Sequence, residues 1–323
     1  MCNKCLYCYG PLKKGETAYH ASCARKFFGR AQAPVMPYSR DNISELALQV
    51  IQNSMTITGV QPKLSLDIDR GGKNRQDKLT IVGLWGSYIL KPQSDTYRSL
   101  PELEDVTMKM ALAAGISTVD HSLIRMADGE LAYITRRIDR GRGGEKYSML
   151  DMCQLSNRLT EHKYRGSYEQ LADTVMKFSS APMLDVQRFW EVVIFSWITG
   201  NSDMHCKNFS LIDRKDGRGY VLSPAYDLLA VLLTGIEDND ELALPLSGPG
   251  VYDGQPIADF DRSAFVTAMT GSGIEENYAN RIIDKLLSRG SVWFSIIDSS
   301  FLSDALQAEY KRLIANRLSL LSR

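Results

Sequence analysis

Apolar positions recur at one period in the first half of the chain and at another in the second. After Asp41 or Asn42, either of which can cap a helix, Ile43, Leu46, Val50 and Ile51 fall at helical spacing. From Met55 to Lys91 the period shortens to two. Thr56, Ile57 and Thr58 form a β-branched run up to Gly59, and Leu64, Leu66 and Ile68 alternate with polar residues. RGGKNRQD is a loop, and Leu79, Ile81, Tyr88, Ile89 and Leu90 predict a hairpin turning near Gly83 and Gly86. Residues 102–114 return to helical spacing and stop at Gly115, and Leu131 to Ile138 reads as a strand. From about residue 150 the pattern is helical. DVQRFWEVVIFSWITG is apolar on nearly every face, which suits a buried helix ending at Gly200; Leu306, Tyr310, Leu313, Leu318 and Leu321 mark an amphipathic C-terminal helix. Strands first and helices later predict an α+β chain of two lobes with a cleft between them. The expected division is a Cys-rich unit at 1–30, a Pro-containing linker at 31–40, a β-rich lobe at 41–140 and a helical lobe at 141–323.

Composition narrows the function. Lys plus Arg and Asp plus Glu number 38 each, so a net charge of zero makes direct nucleic-acid binding a poor first choice. The longest apolar stretches fall short of the ~20 residues a membrane helix needs. MCNKCLYCYG has no apolar core of a signal peptide. The expected compartment is the cytoplasm, where stable disulfides are uncommon.

The segment richest in chemistry is GNSDMHCKNFSL, residues 200–211, followed by YDLLA at 226–230. Asp203, Asn208 five positions later, and Asp227 beyond a predicted hairpin repeat the spacing of a phosphoryl-transfer site. ATP carries charge that Mg²⁺ neutralises, and hard cations take oxygen ligands, which Asn208 and Asp227 supply. Asp203 is placed to orient the incoming hydroxyl and accept its proton, and Lys207 to steady the γ-phosphate. His205 joins this catalytic set, although a structural histidine bonded to the loop backbone is the favoured reading of it. Lys91, ending the strand SYILK, is the candidate cation for the α- and β-phosphates, with Glu102 or Glu104 to orient it. Gln61 and Lys63 follow the turn TITG, whose exposed backbone N–H groups would suit phosphates.

In order along the chain, ITGVQPKLSL, SYILKP, PELEDVTMKMALAAGI, ITRRIDR, DMCQL, KYRGSYEQL, NSDMHCKNFSL and SPAYDLLA resemble the HipA family of bacterial toxin kinases over roughly residues 45–320. The resemblance implies a two-lobed protein-kinase-like fold and a serine/threonine kinase using ATP and Mg²⁺. It implies Asp203 as the catalytic aspartate, Asn208 and Asp227 as magnesium ligands, and Lys91 as the ATP lysine. Thr58, Gly59, Gln61 and Lys63 would form the phosphate loop, and Ile134 to Ile138, including Arg136, would run past the adenine. It further implies autophosphorylation of a hydroxyl in that loop, here Ser54, Thr56 or Thr58. Leu103 stands where the family commonly has Asn, and Thr56 where it has Ser. The N-terminal subdomain of long HipA proteins has no counterpart. This looks like the short HipT branch, whose partners are a separate HipS-like subdomain protein and a helix-turn-helix HipB-like antitoxin, with DNA reached only through the antitoxin. By family analogy the substrate protein would be an aminoacyl-tRNA synthetase. The competing readings are a small-molecule or lipid kinase and a non-catalytic scaffold for an antitoxin.

Cysteine usage adds a separate site. Cys2, Cys5, Cys8 and Cys23 crowd the first 23 residues. Cys5-x2-Cys8 and His20-x2-Cys23 give four ligands spaced for a closed structural zinc site, with Cys2 as an alternative to Cys5.

Overall fold

The computed structural model describes residues 4–42, 63–72, 75–82, 85–141, 144–236, 240–246 and 260–323. The chain forms two compact units, residues 1–106, 119–137 and 299–302 in one and the remainder in the other. The helix expected after Asp41 and the Thr56 strand lie almost wholly outside the described residues. Residues 40–42 are helical, and the Oγ of Ser39 accepts from the Asn42 N–H. Ser39, not Asp41 or Asn42, is therefore the cap.

Unit 1 is built on a five-stranded antiparallel sheet: β1 (Leu64–Asp69), β2 (Lys78–Ile81), β3 (Tyr88–Pro92), β4 (His121–Arg125) and β5 (Leu131–Arg136), in the order β2-β1-β3-β5-β4. Register sorts the side chains onto two faces, because neighbouring residues along a strand point opposite ways. Leu64, Leu90, Ile134 and Ser122 stand abreast on one face; Lys91, Tyr133 and Leu123 stand abreast on the other. The sequence showed no strand at His121–Arg125 because four of its five residues are buried, so polar and apolar positions do not alternate.

Residues 4–36 run across the first face. Leu6, Leu12, Tyr19, Phe27 and Phe28 join Leu64, Leu66, Tyr88, Leu90 and Ile134 in one core. Helix α1 (Ala21–Phe28) supplies both phenylalanines and ends at Gly29, whose φ of 83° is the left-handed geometry that glycine takes without strain. The two edge strands are covered. The Leu6 carbonyl accepts from the Leu123 N–H on β4, and Val35 pairs in parallel with Lys78 on β2. The segment expected to be a linker at 31–40 is thus a docked strand-like segment, with Met36 buried.

Helix α2 (Leu100–Ala113) begins in unit 1 and continues into unit 2. In unit 2 a small antiparallel sheet, β6 (Ser148–Asp151), β7 (Ser210–Asp213) and β8 (Val221–Leu222), confirms the hairpin read around residues 209–223. Helices α3 (Met152–Leu155), α4 (Tyr168–Phe178), α5 (Pro182–Thr199), α6 (Arg262–Gly271), α7 (Glu276–Leu287), α8 (Gly290–Ser299, its last residue in unit 1) and α9 (Asp304–Leu321) accompany it. Pro182 opens α5, where its missing N–H costs no bond, and every residue from Val192 to Thr199 is buried. Buried Asp185 accepts from the Leu222 N–H at 2.7 Å and from Ser179 at 2.6 Å, fastening the start of α5 to β8. Arg317 of α9 is buried, donates to the Trp197 carbonyl and lies over the indole ring. Among the described residues, no helix is long and apolar enough to cross a membrane.

Gly200 ends α5 with a φ of 75°, and a Cβ placed there would sit 2.7 Å from Leu313 Cδ2. Both effects penalise a side chain. Gly200→Ala is expected to cost about 1–3 kcal/mol, read as a lowered urea midpoint at unchanged slope.

Candidate functional site

The loop after Gly200 is held by its own polar groups. Asn201, buried, accepts from the Asp203 N–H at 3.3 Å and donates to the Asp227 carbonyl at 3.4 Å. One side chain therefore ties the catalytic-loop candidate to the second carboxylate segment. Asn208 donates to the Asp203 carbonyl at 2.9 Å, closing the loop that carries both residues. With its NH₂ used this way, the amide oxygen of Asn208 remains as an acceptor. Tyr226 donates to the Lys207 carbonyl at 3.0 Å and shares a 2.6 Å bond with Ser210, so the residue before Asp227 is also anchored to the loop. Asp227 itself has a φ of 57°, the left-handed region that Asp tolerates better than most residues.

The carboxylate of Asp203 is half-exposed and accepts from Tyr164 at 2.6 Å. His205 lies beneath, edge-on to the Tyr164 ring, its Nε2 3.9 Å from the same oxygen. Burial lowers the pKa of His205 from 6.5, with Asp203 opposing, so the imidazole is neutral at pH 7. A buried, neutral ring packed behind Asp203 suits a structural role. Lys207 is paired with Asp151 at 2.8 Å. Asp151 also caps α3, accepting from the Gln154 N–H in a capping box. Asp203, His205, Lys207, Asn208 and Asp227 thus belong to one hydrogen-bonded neighbourhood of unit 2.

In unit 1, Lys91 and Glu104 form an ion pair at 2.6 Å with both side chains at or below 5% exposure. Their positions follow from the sheet register: Lys91 points to the second face, over the Tyr133 ring at 5.3 Å, and α2 crosses that face with Glu104 one turn inside its start. Of the two carboxylates the sequence offered, Glu104 makes the pair. Burial instead pushes the Glu102 carboxyl up to about 7. Arg136 ends β5, and Ile138 lies just past it, where the chain passes into unit 2. Lys63 is exposed immediately before β1. Ser54, Thr56, Thr58, Gly59 and Gln61 lie outside the described residues.

Also in unit 1, Cys5, Cys8, His20 and Cys23 bring four ligand atoms within 4.8 Å of one another. Cys2 lies outside the described residues.

Four residues escaped the sequence reading: Asn201, Tyr164, Asp151 and Tyr226. Each sits inside a motif it singled out, yet Asn, Tyr and Asp in a turn carry no signal of which neighbour they hold. Tyr164 is 39 positions from Asp203, so only the fold pairs them.

Residues 55–293 match the HipA-like C-terminal domain. The chain belongs to that family. A relative in Haemophilus influenzae, named "Putative kinase", is 28% identical over 263 residues, covering 76% of this chain and 73% of its own. The solved Shewanella oneidensis toxin–antitoxin complex of HipA, HipB and operator DNA contains a chain similar to 97% of this one and matched over 75% of its own length, at a TM-score of 0.67 and 19% identity. The Helicobacter pylori proinflammatory kinase CtkA matches 80% of this HipA-like chain over 93% of its own, at a TM-score of 0.55 and 14% identity. The fold is kinase-like.

Removing one partner of the buried pair leaves an uncompensated charge. Glu104→Ala is expected to destabilise unit 1 by about 3–5 kcal/mol, whereas Lys91→Met with Glu104→Leu restores most of that in chemical denaturation. His205 gives a pH dependence. Because its folded pKa is lowered, the unfolded chain takes up the proton first, so this contribution to stability is intact above about pH 6.5 and lost as pH falls through the folded value. His205→Asn should flatten the acid side of a melting-temperature profile taken from pH 7.5 to 5.5; an unchanged profile would remove His205 as its source.

Proposed function

We propose that this HipA-like chain is an ATP-dependent serine/threonine protein kinase and acts as a toxin. The observation that carries the reading is the polar neighbourhood in unit 2, where Asn201 and Asn208 hold the backbone of Asp203 and Asp227 and Tyr226 holds that of Lys207, gathering the three motif residues into one loop system. Kinase-named relatives and a kinase-like fold support it.

Asp203 orients the hydroxyl of the incoming Ser or Thr and accepts its proton. Tyr164, donating to Oδ1 at 2.6 Å, fixes the carboxylate rotamer and leaves Oδ2 to face the nucleophile. Asn208, through its amide oxygen, and Asp227 fit Mg²⁺ as an oxygen donor set, and the ion would neutralise phosphate charge. Lys207 carries the cation nearest Asp203 in sequence and is poised by Asp151 to meet a developing γ-phosphate charge. Lys91, aligned by Glu104, binds the α- and β-phosphates. Lys63, Gln61, Thr58 and Gly59 supply the phosphate loop, and one of Ser54, Thr56 and Thr58 accepts the autoregulatory phosphate. Arg136 and Ile138 flank the adenine.

The partner reading is supported by the solved relative, whose complex holds HipB and operator DNA. A HipB-like antitoxin would neutralise this chain and link it to DNA, and a HipS-like protein would serve if it belongs to the HipT branch. The substrate is a bacterial protein of the cytoplasm, with an aminoacyl-tRNA synthetase as the first one to test.

Purified protein given MgATP should phosphorylate itself, and Asp203→Asn should slow that by at least about 100-fold. Phosphosites mapped in cells expressing the wild type against Asp227→Ala should reveal both the target and the self-modified hydroxyl. Phosphate appearing only on a metabolite would overturn the protein-kinase reading, and growth arrest by Asp203→Asn equal to that by wild type would overturn the catalytic one.

A further inference from the structure

Residues 4–30 contain one eight-residue helix and no strand, too little regular structure to hold itself in place. They nevertheless keep a defined course. The turn from Cys5 to Gly10 is closed by backbone bonds, Cys5 N–H to the Gly10 carbonyl at 2.8 Å and Tyr9 N–H to the Cys5 carbonyl at 2.9 Å. Within that turn Cys5 and Cys8 face the same point, and Tyr9, with a left-handed φ of 64°, turns the chain back after Cys8 so that the Gly10 carbonyl meets the Cys5 N–H. The start of α1 brings His20 and Cys23 to that point from the other side.

The spacing of the four atoms is informative. Zn–S of about 2.3 Å and Zn–N of about 2.05 Å in a tetrahedron place sulfurs about 3.8 Å apart and a sulfur about 3.6 Å from a nitrogen. Here Nδ1 of His20 lies 3.3 Å from Cys8 Sγ and 3.7 Å from Cys23 Sγ, within a cluster no wider than 4.8 Å. His20 Nε2 lies 2.9 Å from the Pro11 carbonyl. That bond puts the ring proton on Nε2 and turns the Nδ1 lone pair toward the thiols, the support that a metal-bound imidazole needs. The His20 N–H donates to Cys5 Sγ at 3.5 Å, a contact that favours a thiolate. Among the described residues no fifth Cys, His, Asp or Glu joins the four, a set of three sulfurs and one nitrogen that suits a closed site.

What surrounds this cluster explains what an ion there would do. Leu6, between the first two cysteines, covers the β4 edge through its carbonyl, and Tyr19, next to His20, donates to the Leu123 carbonyl at 2.5 Å. Tyr9 reaches past β4 to Asp105 at 2.6 Å, the residue after Glu104. At the far end, Arg30 pairs with Asp77 at 3.0 Å and Val35 covers β2. The segment is a strap across the sheet whose reverse face carries Lys91, and the cluster fastens its first end.

We propose that Cys5, Cys8, His20 and Cys23 bind one Zn²⁺ in a closed structural site, and that this ion secures the strap and with it the β3–β5–β4 part of the sheet. Binding displaces the thiol protons to solvent and makes four metal–ligand bonds without any redox step.

The test uses the full chain. Elemental analysis should find about one zinc per chain in the wild type, and adding Co²⁺ to metal-stripped protein should give the visible spectrum of a tetrahedral thiolate site. Cys8 is exposed, so Cys8→Ser removes a ligand with little loss of packing; it should carry no zinc. His20→Cys should keep a tetrahedral Co²⁺ spectrum with stronger sulfur charge-transfer bands. Hydrogen exchange in β3 and β4 should quicken at least about tenfold in Cys8→Ser or after chelation, while α5 of unit 2 stays protected. Wild type that holds no zinc and refuses Co²⁺, or that holds iron instead, would overturn the site. Unchanged exchange in β3 and β4 after the ion has gone would overturn the strap's dependence on it. None of these readouts requires that the chain bind nucleotide.

Discussion

An ammonium and a carboxylate 2.6 Å apart, both shut away from water, constrain how the sheet and α2 of unit 1 can be arranged. Each ion loses several kcal/mol of hydration on burial, and the attraction between them seldom exceeds that cost. Such a pair is weak evidence for stability and better evidence for chemistry. To keep it, the sheet must present Lys91 on one face, α2 must begin where Glu104 can meet it, and water must stay out. The strap on the opposite face supplies rigidity from behind. Phe27 and Phe28 pack against Tyr88, two register positions from Lys91's neighbour on β3.

Unit 2 solves a different problem. Its candidate site residues are positioned largely through their backbones. Asn201 and Asn208 spend amide groups on the backbone of Asp203 or Asp227, and Tyr226 holds the Lys207 carbonyl. The buried helix α5 gives these bonds a fixed base, since Gly200 stops it abruptly and the loop leaves from a side packed among Trp, Phe and Ile residues.

Much of this was legible in the sequence. The alternation Leu64, Leu66, Ile68 gave β1, the apolar run before Gly200 gave α5, and the Asp203, Asn208, Asp227 spacing indicated the neighbourhood that the loop forms. Legibility ended where burial was complete or partners were remote. Strand β4 is buried along four residues and shows no period. Residues 31–40 read as a linker because two prolines interrupt any pattern, yet Val35 needs only its own N–H and carbonyl to pair with β2. The choice of Glu104 over Glu102 was open because both stand within the first five residues of α2, and only the direction of the helix relative to β3 separates them.

Asp227 shows how narrowly conformation and charge can define a position. Its left-handed backbone excludes most L side chains at little cost only to Gly, Asn and Asp. Of those three, Asp alone bears a charge. A single exchange of oxygen for NH₂ there would keep the turn, the Tyr226 anchor and the Asn201 bond while emptying the position of its negative charge. The fold therefore has a neutral double of itself one group away, with every backbone bond of the loop kept and only the local charge removed.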